Sequence, residues 1–324
     1  MKKLFKNKLI FFTLVSLSAT TLSCTNNSEK INFQKIGDQK NKFISDNKFI
    51  QQIIDFQFEN ITQKKEFIYN QSKIIYNKKQ ELKSALVWFN PLRPNLINTQ
   101  SDYRNLVETS YKILEKNITQ NWLWILDNIQ DFQFVFNPYG SKFDDENDNY
   151  FENIIRSVDQ FNPSLSISIK NKDVIDLLQI ELEKDDYDKF ENKVANYLIY
   201  DSNKAIKILT YTYQNNKFVT LIPDLFYSPD TENINEFKNK LINLEKENNL
   251  SKNILINNDI EYNEYFGEEY DSTKSYYKFN DLNQYKNFSY TYSNIQKTTL
   301  KRLLTEEKFK KNRIYRYTWK AINE

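Results

Sequence analysis

The sequence predicts an α+β protein in which a helical region precedes a region with an antiparallel sheet. Between residues 42 and 129, apolar residues recur at the three- and four-residue spacing of amphipathic helices. After Pro163 the period changes, because the segment Ser164-Leu-Ser-Ile-Ser-Ile-Lys170 alternates strictly between polar and apolar residues, as a half-buried strand does. We therefore expect a helical domain over residues 41–163 and an α+β domain over residues 164–324.

The helical region contains two long periodic runs. The first, from about residue 42 to residue 86, predicts one long helix or two helices joined near Asn60, and Pro91 and Pro94 end it. The second run starts near Ser101 and continues its apolar stripe through Ile129. Gln, Lys and Asn fill the other face of the first run.

The second region reads as an antiparallel meander with helical insertions. Turn residues at 201–203 and 214–216 separate its central strands. Helical periodicity is expected at about 174–195 and again at 232–248. The expected strands cover residues 164–170, 197–200, 205–213, 218–222, 253–262 and 314–319.

The first 24 residues resemble a bacterial lipoprotein signal. Four lysines precede an apolar stretch that is shorter than the roughly 20 residues needed to span a bilayer, and Cys24 follows within a lipobox-like segment that has Thr21 where an aliphatic residue is usual. Residues 1–23 are then a signal peptide, Cys24 carries the fatty acyl chains (palmitate among them), and residues 24–40 form a flexible tether. This predicts a lipid anchor at the extracellular face of the cell membrane. The alternative is an uncleaved membrane anchor with an incidental cysteine.

The composition excludes several classes of site. The chain has no His, one Cys and three Gly, which excludes imidazole-based catalysis, intramolecular disulfides and glycine-rich phosphate loops. Its 45 basic residues fall to 41 against 43 acidic ones when the four lysines of residues 1–23 are removed, so a polybasic nucleic-acid binder is disfavoured. We expect no metal site and no cofactor, and we do not expect an enzyme.

Aromatic residues cluster in three short segments of the helical region, which are Trp88-Phe89-Asn90-Pro91, Trp122-Leu-Trp124 and Phe134-Val-Phe136-Asn137-Pro138-Tyr139. One interpretation is that they are turns packed on one aromatic core, and the other is that they form a binding surface. Because Trp122 and Trp124 are two positions apart on a helix, one should point inward and the other outward or toward the second domain. The candidate binding surface consists of Trp88, Phe89, Trp122, Trp124, Phe136 and Tyr139.

The last part of the sequence interleaves basic and aromatic residues between positions 308 and 319. Lysines and arginines combined with Tyr315, Tyr317 and Trp319 are typical of single-stranded nucleic-acid binding. The same alternation also fits an ordinary strand with one aromatic face, so the sequence leaves both interpretations open.

The aromatic segments, the lipoprotein signal and a composition typical of AT-rich genomes together resemble mycoplasma surface lipoproteins, in particular the aromatic cluster surface (aromatic motif) membrane proteins. Weaker support comes from Tyr200-Asp-Ser-Asn-Lys204 and Tyr315-Arg-Tyr-Thr-Trp319. The resemblance implies a cell-surface location and leaves the activity open. We expect a lipid-anchored protein that binds or adheres to host or environmental molecules; the alternative is a surface hydrolase or a nucleic-acid or solute-capture protein.

Overall fold

A computed structural model describes residues 43–74, 76–88, 101–136, 166–183, 190–229, 231–265 and 314–323. All of these residues belong to one compact unit. The predicted signal peptide (residues 1–23), the tether (residues 24–40) and the expected boundary between residues 163 and 164 lie outside the described residues.

Among the described residues, the predicted helical region forms five α-helices, which are α1 (Lys48–Gln57), α2 (Ile61–Ser72), α3 (Tyr76–Trp88), α4 (Ser101–Gln120) and α5 (Trp122–Asp127). Two short 3-10 helices, Ile44–Asp46 and Ile129–Asp131, flank them. The break near Asn60 is confirmed, since Asn60 caps α2 by accepting hydrogen bonds from the backbone N–H groups of Thr62 and Gln63. The break between α2 and α3 was not predicted, because neither Pro nor Gly marks it.

Seven strands form one antiparallel sheet, and these are β1 (Phe132–Phe136), β2 (Ser166–Ile167), β3 (Asp176–Glu181), β4 (Glu191–Asp201), β5 (Lys204–Tyr213), β6 (Asn216–Tyr227) and β7 (Tyr315–Ile322). Their order across the sheet is β2-β1-β7-β6-β5-β4-β3. A long helix, α6 (Ile234–Tyr265), lies in sequence between β6 and β7. The predicted α+β class with an antiparallel sheet is confirmed, and so is the meander of β4, β5 and β6.

Two predictions of local structure are wrong. The expected helical segment at 174–195 contains β3 and part of β4. Val174, Leu177 and Leu178 satisfy helical spacing, but β3 is an edge strand whose Gln179 and Glu181 are exposed. The expected strand at 253–262 lies within α6. Its Ile256 and Ile260 are four positions apart, so the same residues also satisfy helical spacing.

The sheet is covered on both faces, and each face has its own core. On the helical face, α1, α3, α4 and α5 pack against strand residues such as Leu198, Leu225 and Trp319. On the α6 face, Phe237 and Leu241 of α6 pack against a second set of strand residues that includes Tyr197, Tyr211 and Phe226. Consecutive strand residues therefore contribute to opposite cores.

Candidate functional site

Trp122 and Trp124 both lie in the hydrophobic core, with 0% and 6% of their surface exposed. Of the two placements expected for the second tryptophan, the outward one is wrong, because α5 is enclosed and every residue from Trp122 to Leu126 is buried. Trp122 packs against Phe67, with ring centroids 5.7 Å apart, and its indole N–H donates to Gln57. These two tryptophans are core residues, so they offer no exposed contact to a ligand.

The other proposed surface residues are placed only in part. Trp88 ends α3 and Phe136 ends β1, but their side chains lie outside the described part of the structure. Phe89, Tyr139 and the lipidation residue Cys24 lie outside it entirely. Their predicted roles stay predictions.

The sheet brings together aromatic segments that are far apart in the sequence. Strand β1 pairs with β7 so that Phe134 lies opposite Trp319 and Phe136 lies opposite Tyr317. The rings of Phe132 and Trp319 are 4.8 Å apart between centroids, and both are fully buried. The aromatic end of the sequence is therefore a neighbour of the Phe134-Val-Phe136 segment.

Beside this contact, four side chains form what we call the tyrosine platform, which consists of Lys204, Tyr227, Tyr315 and Tyr317. Lys204 of β5 lies opposite Tyr227 of β6, which in turn lies opposite Tyr315 of β7, so these three form one row across three strands. Tyr317 lies on the same face of β7, two residues further on. All four side chains are half-buried.

The platform combines aromatic faces, phenol hydroxyls and one cation. The Tyr227 and Tyr317 rings meet edge to face at 6.0 Å, and the Lys204 ammonium lies 5.8 Å from the Tyr227 ring centroid. Lys204 also forms an ion pair of 3.0 Å with Asp201. Burial raises the pKa of Tyr317, and the neighbouring Tyr227 and Tyr315 raise it further, so its hydroxyl stays protonated at neutral pH.

A buried ion pair fixes the strand that carries two of these tyrosines. The Arg316 Nε donates to Asp224 Oδ2 at 2.7 Å, and the Thr318 hydroxyl donates to Asp224 Oδ1 at 2.6 Å. Arg316 and Asp224 are 7% and 1% exposed, so Arg316 is engaged inside the protein and cannot serve as a surface contact for phosphate. The rigid pairing of β6 and β7 holds Tyr315 and Tyr317 in place.

Sequence reasoning identified Tyr315 and Tyr317 but missed Tyr227. The expected strand stopped at Ile222 because Pro223 follows it, whereas β6 continues to Tyr227. The apolar and aromatic run Leu225-Phe226-Tyr227 beyond the proline is the signal that could have extended the strand.

The family model described as aromatic cluster surface protein matches residues 25–267 of the chain. The chain belongs to this family. The name aromatic cluster surface protein describes a protein of the cell surface. The matched range contains Lys204 and Tyr227 of the platform, while Tyr315 and Tyr317 follow it. No curated protein and no solved structure matched this member of the aromatic cluster surface protein family.

Two general features complete the description of this aromatic cluster surface protein. Among the helices that the structure describes, none combines the length and the apolar character that a membrane span requires. Within the same residues, no three or more Cys, Asp or Glu side chains are grouped so that they could hold a metal ion.

Proposed function

We propose that this surface protein is held at the extracellular face of the cell membrane by lipid on Cys24. Support comes from the basic and apolar residues that precede Cys24, the small Ser23 before it and the polar segment after it. The family match begins at residue 25, directly after the proposed lipidated cysteine. Two acyl chains hold a protein stably at a membrane, whereas one chain binds marginally.

The anchor is tested by metabolic labelling with a palmitate analogue in the parent bacterium. The wild-type chain is expected to incorporate the label and to partition with membranes, and Cys24→Ala is expected to lose both properties. A matched control is Ser23→Ala, which keeps a small residue at the cleavage position. An unlabelled wild-type chain, together with a Cys24→Ala chain that still partitions with membranes, would contradict the anchor.

We further propose that the protein binds or adheres to host or environmental molecules through the tyrosine platform and has no enzymatic role. The supporting observation is a row of half-buried side chains, Lys204, Tyr227 and Tyr315, on three adjacent strands. Tyrosine gives a large amphipathic contact area at a low entropic cost, which is why it is enriched at recognition surfaces. A rigid sheet adds to this advantage because the rings are already ordered before contact.

Adhesion is tested with the full chain displayed on liposomes and applied to host cells or immobilised extracellular matrix. The double variant Tyr227→Ala/Tyr315→Ala is expected to weaken adhesion at least about tenfold, since it removes two aromatic contacts. Tyr213→Ala is the matched control. Tyr213 is a half-buried tyrosine of the same sheet, but it lies at the opposite end of β5 from Lys204 and packs against Phe190. Equal adhesion by the platform variant and the control variant would overturn this proposal.

A further inference from the structure

An open groove of about 350 Å³ lies on the helical side of the molecule, where the joint between α2 and α3 meets the joint between α4 and α5. Its lining consists of Lys73, Ile74, Asn77, Lys78, Glu81 and Asn121. None of these residues belongs to the tyrosine platform. The groove is therefore a second candidate site, and it does not depend on the proposed adhesive function.

Gln71 holds the two joints together. Its side-chain Nε2 donates to the backbone carbonyl of Gln120 at 3.0 Å, and its Oε1 accepts from the backbone N–H of Trp124 at 3.0 Å. Gln71 is only 5% exposed; its bond to Trp124 is buried and its bond to Gln120 is partly buried. Because they connect the end of α2 to the residues on either side of Asn121, the two walls of the groove have a fixed separation.

The groove has an excess of positive charge. Lys78 forms an ion pair with Glu81, so these two side chains balance each other. The Lys73 ammonium lies 5.4 Å from the centroid of the Tyr69 ring and has no carboxylate partner among the described residues. Within the described part of the chain, Lys73 is therefore a cation at the rim of the groove that no carboxylate balances.

Two asparagines in the groove lining can form hydrogen bonds with the hydroxyl groups of a ligand. Asn121 donates from Nδ2 to the Asn117 side-chain oxygen at 2.8 Å, and its own Oδ1 is a hydrogen-bond acceptor. Asn77 is exposed and supplies both a donor and an acceptor. Ile74 adds a half-buried apolar contact between these polar groups.

We propose that this groove binds an anionic sugar of one or two rings. Its volume lies near the small end of the range of about 300 to 1,000 Å³ that ligand pockets cover. A ligand carboxylate or sulfate forms a charge-assisted hydrogen bond with Lys73, which is stronger than a neutral one. The sugar hydroxyls both donate and accept, as the two asparagine side chains require, and the apolar side of the ring packs on Ile74.

The experiment uses the full chain in detergent, with glucuronate as the probe and glucose as its neutral counterpart, and measures dissociation constants by ligand-observed NMR. Glucuronate is expected to bind at least about tenfold more tightly than glucose, and added salt is expected to reduce this difference. Lys73→Ala is expected to weaken glucuronate binding about tenfold, the loss of one charge-assisted hydrogen bond. Asn77→Ala is expected to weaken the binding of both sugars.

Lys112→Ala is the matched control, because Lys112 is an exposed lysine of α4 outside the groove lining. It should bind glucuronate like the wild type. Circular dichroism should show the same thermal unfolding for Lys73→Ala, Asn77→Ala and Lys112→Ala, since these three side chains are exposed. The proposal is overturned if glucuronate does not bind saturably, if glucose binds equally well, or if Lys73→Ala and Lys112→Ala have the same effect. The platform variant Tyr227→Ala/Tyr315→Ala should bind glucuronate normally, so the result stands apart from the adhesion test.

Discussion

Two tyrosines of β4, Tyr197 and Tyr200, place their hydroxyls in opposite cores, and their environments differ. The Tyr200 hydroxyl is buried on the helical face and has no hydrogen-bond partner among the residues that the structure describes, and burial raises the pKa of this side chain. A buried polar group without a partner destabilises the folded state by about 1 to 3 kcal/mol. Tyr200→Phe is therefore expected to raise the free energy of unfolding by about 1 kcal/mol, measured by urea denaturation.

Tyr197→Phe is the matched comparison, since the Tyr197 hydroxyl donates to the carboxylate of Glu245 on the α6 face. Removing this donor from a buried, charged acceptor is expected to lower the free energy of unfolding by about 1 to 3 kcal/mol. The two substitutions delete the same atom from the same strand, so they should act in opposite directions. A loss of stability for Tyr200→Phe as large as that for Tyr197→Phe would contradict this interpretation.

The Lys207 ammonium also donates a hydrogen bond to the Glu245 carboxylate, at 2.5 Å, and the two side chains form an ion pair. Glu245 is 5% exposed and Lys207 is 2% exposed. Removing one partner of a buried ion pair leaves the other charge uncompensated, which costs about 3 to 5 kcal/mol. Lys207→Met is expected to lower the free energy of unfolding by that amount. The double variant Lys207→Met/Glu245→Leu should recover most of the loss, because no isolated charge remains.

The control for this ion pair is Lys64→Met. Lys64 pairs with Asp55 near the surface, where the carboxylate side chain is 59% exposed, and such pairs contribute about 0 to 1 kcal/mol. Urea denaturation should therefore separate the two substitutions clearly. If the double variant were as unstable as Lys207→Met alone, loss of packing and not the isolated charge would explain the effect.

At the scale of the helices, Gln71 replaces the missing cap of α5. The N-cap residue Asn121 makes no capping hydrogen bond with its side chain, and the backbone N–H of Trp124 in the first turn donates to Gln71 instead. Gln71→Ala leaves this buried N–H without a partner and is expected to cost about 2 to 3 kcal/mol in unfolding free energy. The matched control, Gln120→Ala, changes an exposed side chain whose backbone carbonyl alone is used, and should be nearly neutral.

The sequence predicts helices and strands well where a local signal sets them. Asn60 is a side-chain cap, so the break before α2 was predictable, while the break between α2 and α3 has no such residue. The alternation of β5 and the turns around it also predict the meander. In contrast, β3 was mistaken for a helix because Val174, Leu177 and Leu178 also satisfy helical spacing. A short segment that fits both periods is assigned only by its pairing with β4.

The candidate sites were less predictable because they depend on pairing between distant residues. Tyr315 and Tyr317 were recognised from local alternation, but their neighbours Lys204 and Tyr227 are supplied by strand register. The groove depends on a contact between Gln71 and Trp124, which are 53 positions apart. The composition shows that aromatic side chains are abundant. Only the tertiary structure shows that Trp122 and Trp124 are buried and that the tyrosines of the platform are half-buried.

At the scale of the whole molecule, β7 joins parts of the sheet that are otherwise separate. It pairs with β1 on one side and with β6 on the other, so among the described strands it is β7 that connects β1 and β2 to the meander. It also places Trp319 in the core of the helical face and Ile314 in the core of the α6 face. Both cores therefore depend on residues from one eight-residue strand and the residue before it.

Deleting residues 314–324 is expected to abolish cooperative unfolding. Loss of a single large buried side chain such as Trp319 costs about 3 to 5 kcal/mol, and a typical protein is stable by only about 5 to 15 kcal/mol. The deletion also removes Ile314 and leaves Asp224 buried without its Arg316 partner. Urea denaturation followed by tryptophan fluorescence and by circular dichroism should then give broad transitions that do not coincide.

A synthetic peptide of residues 314–324 provides the control for this deletion. Added in excess to the shortened chain, it should restore one sharp transition, because it can pair with both β1 and β6 and fill both cores. A peptide with Trp319→Ala should restore it poorly, whereas Lys320→Ala, at a half-buried position of the same strand, should act like the wild-type peptide. A shortened chain that unfolds cooperatively at the wild-type urea concentration would show that the two cores are stable without β7.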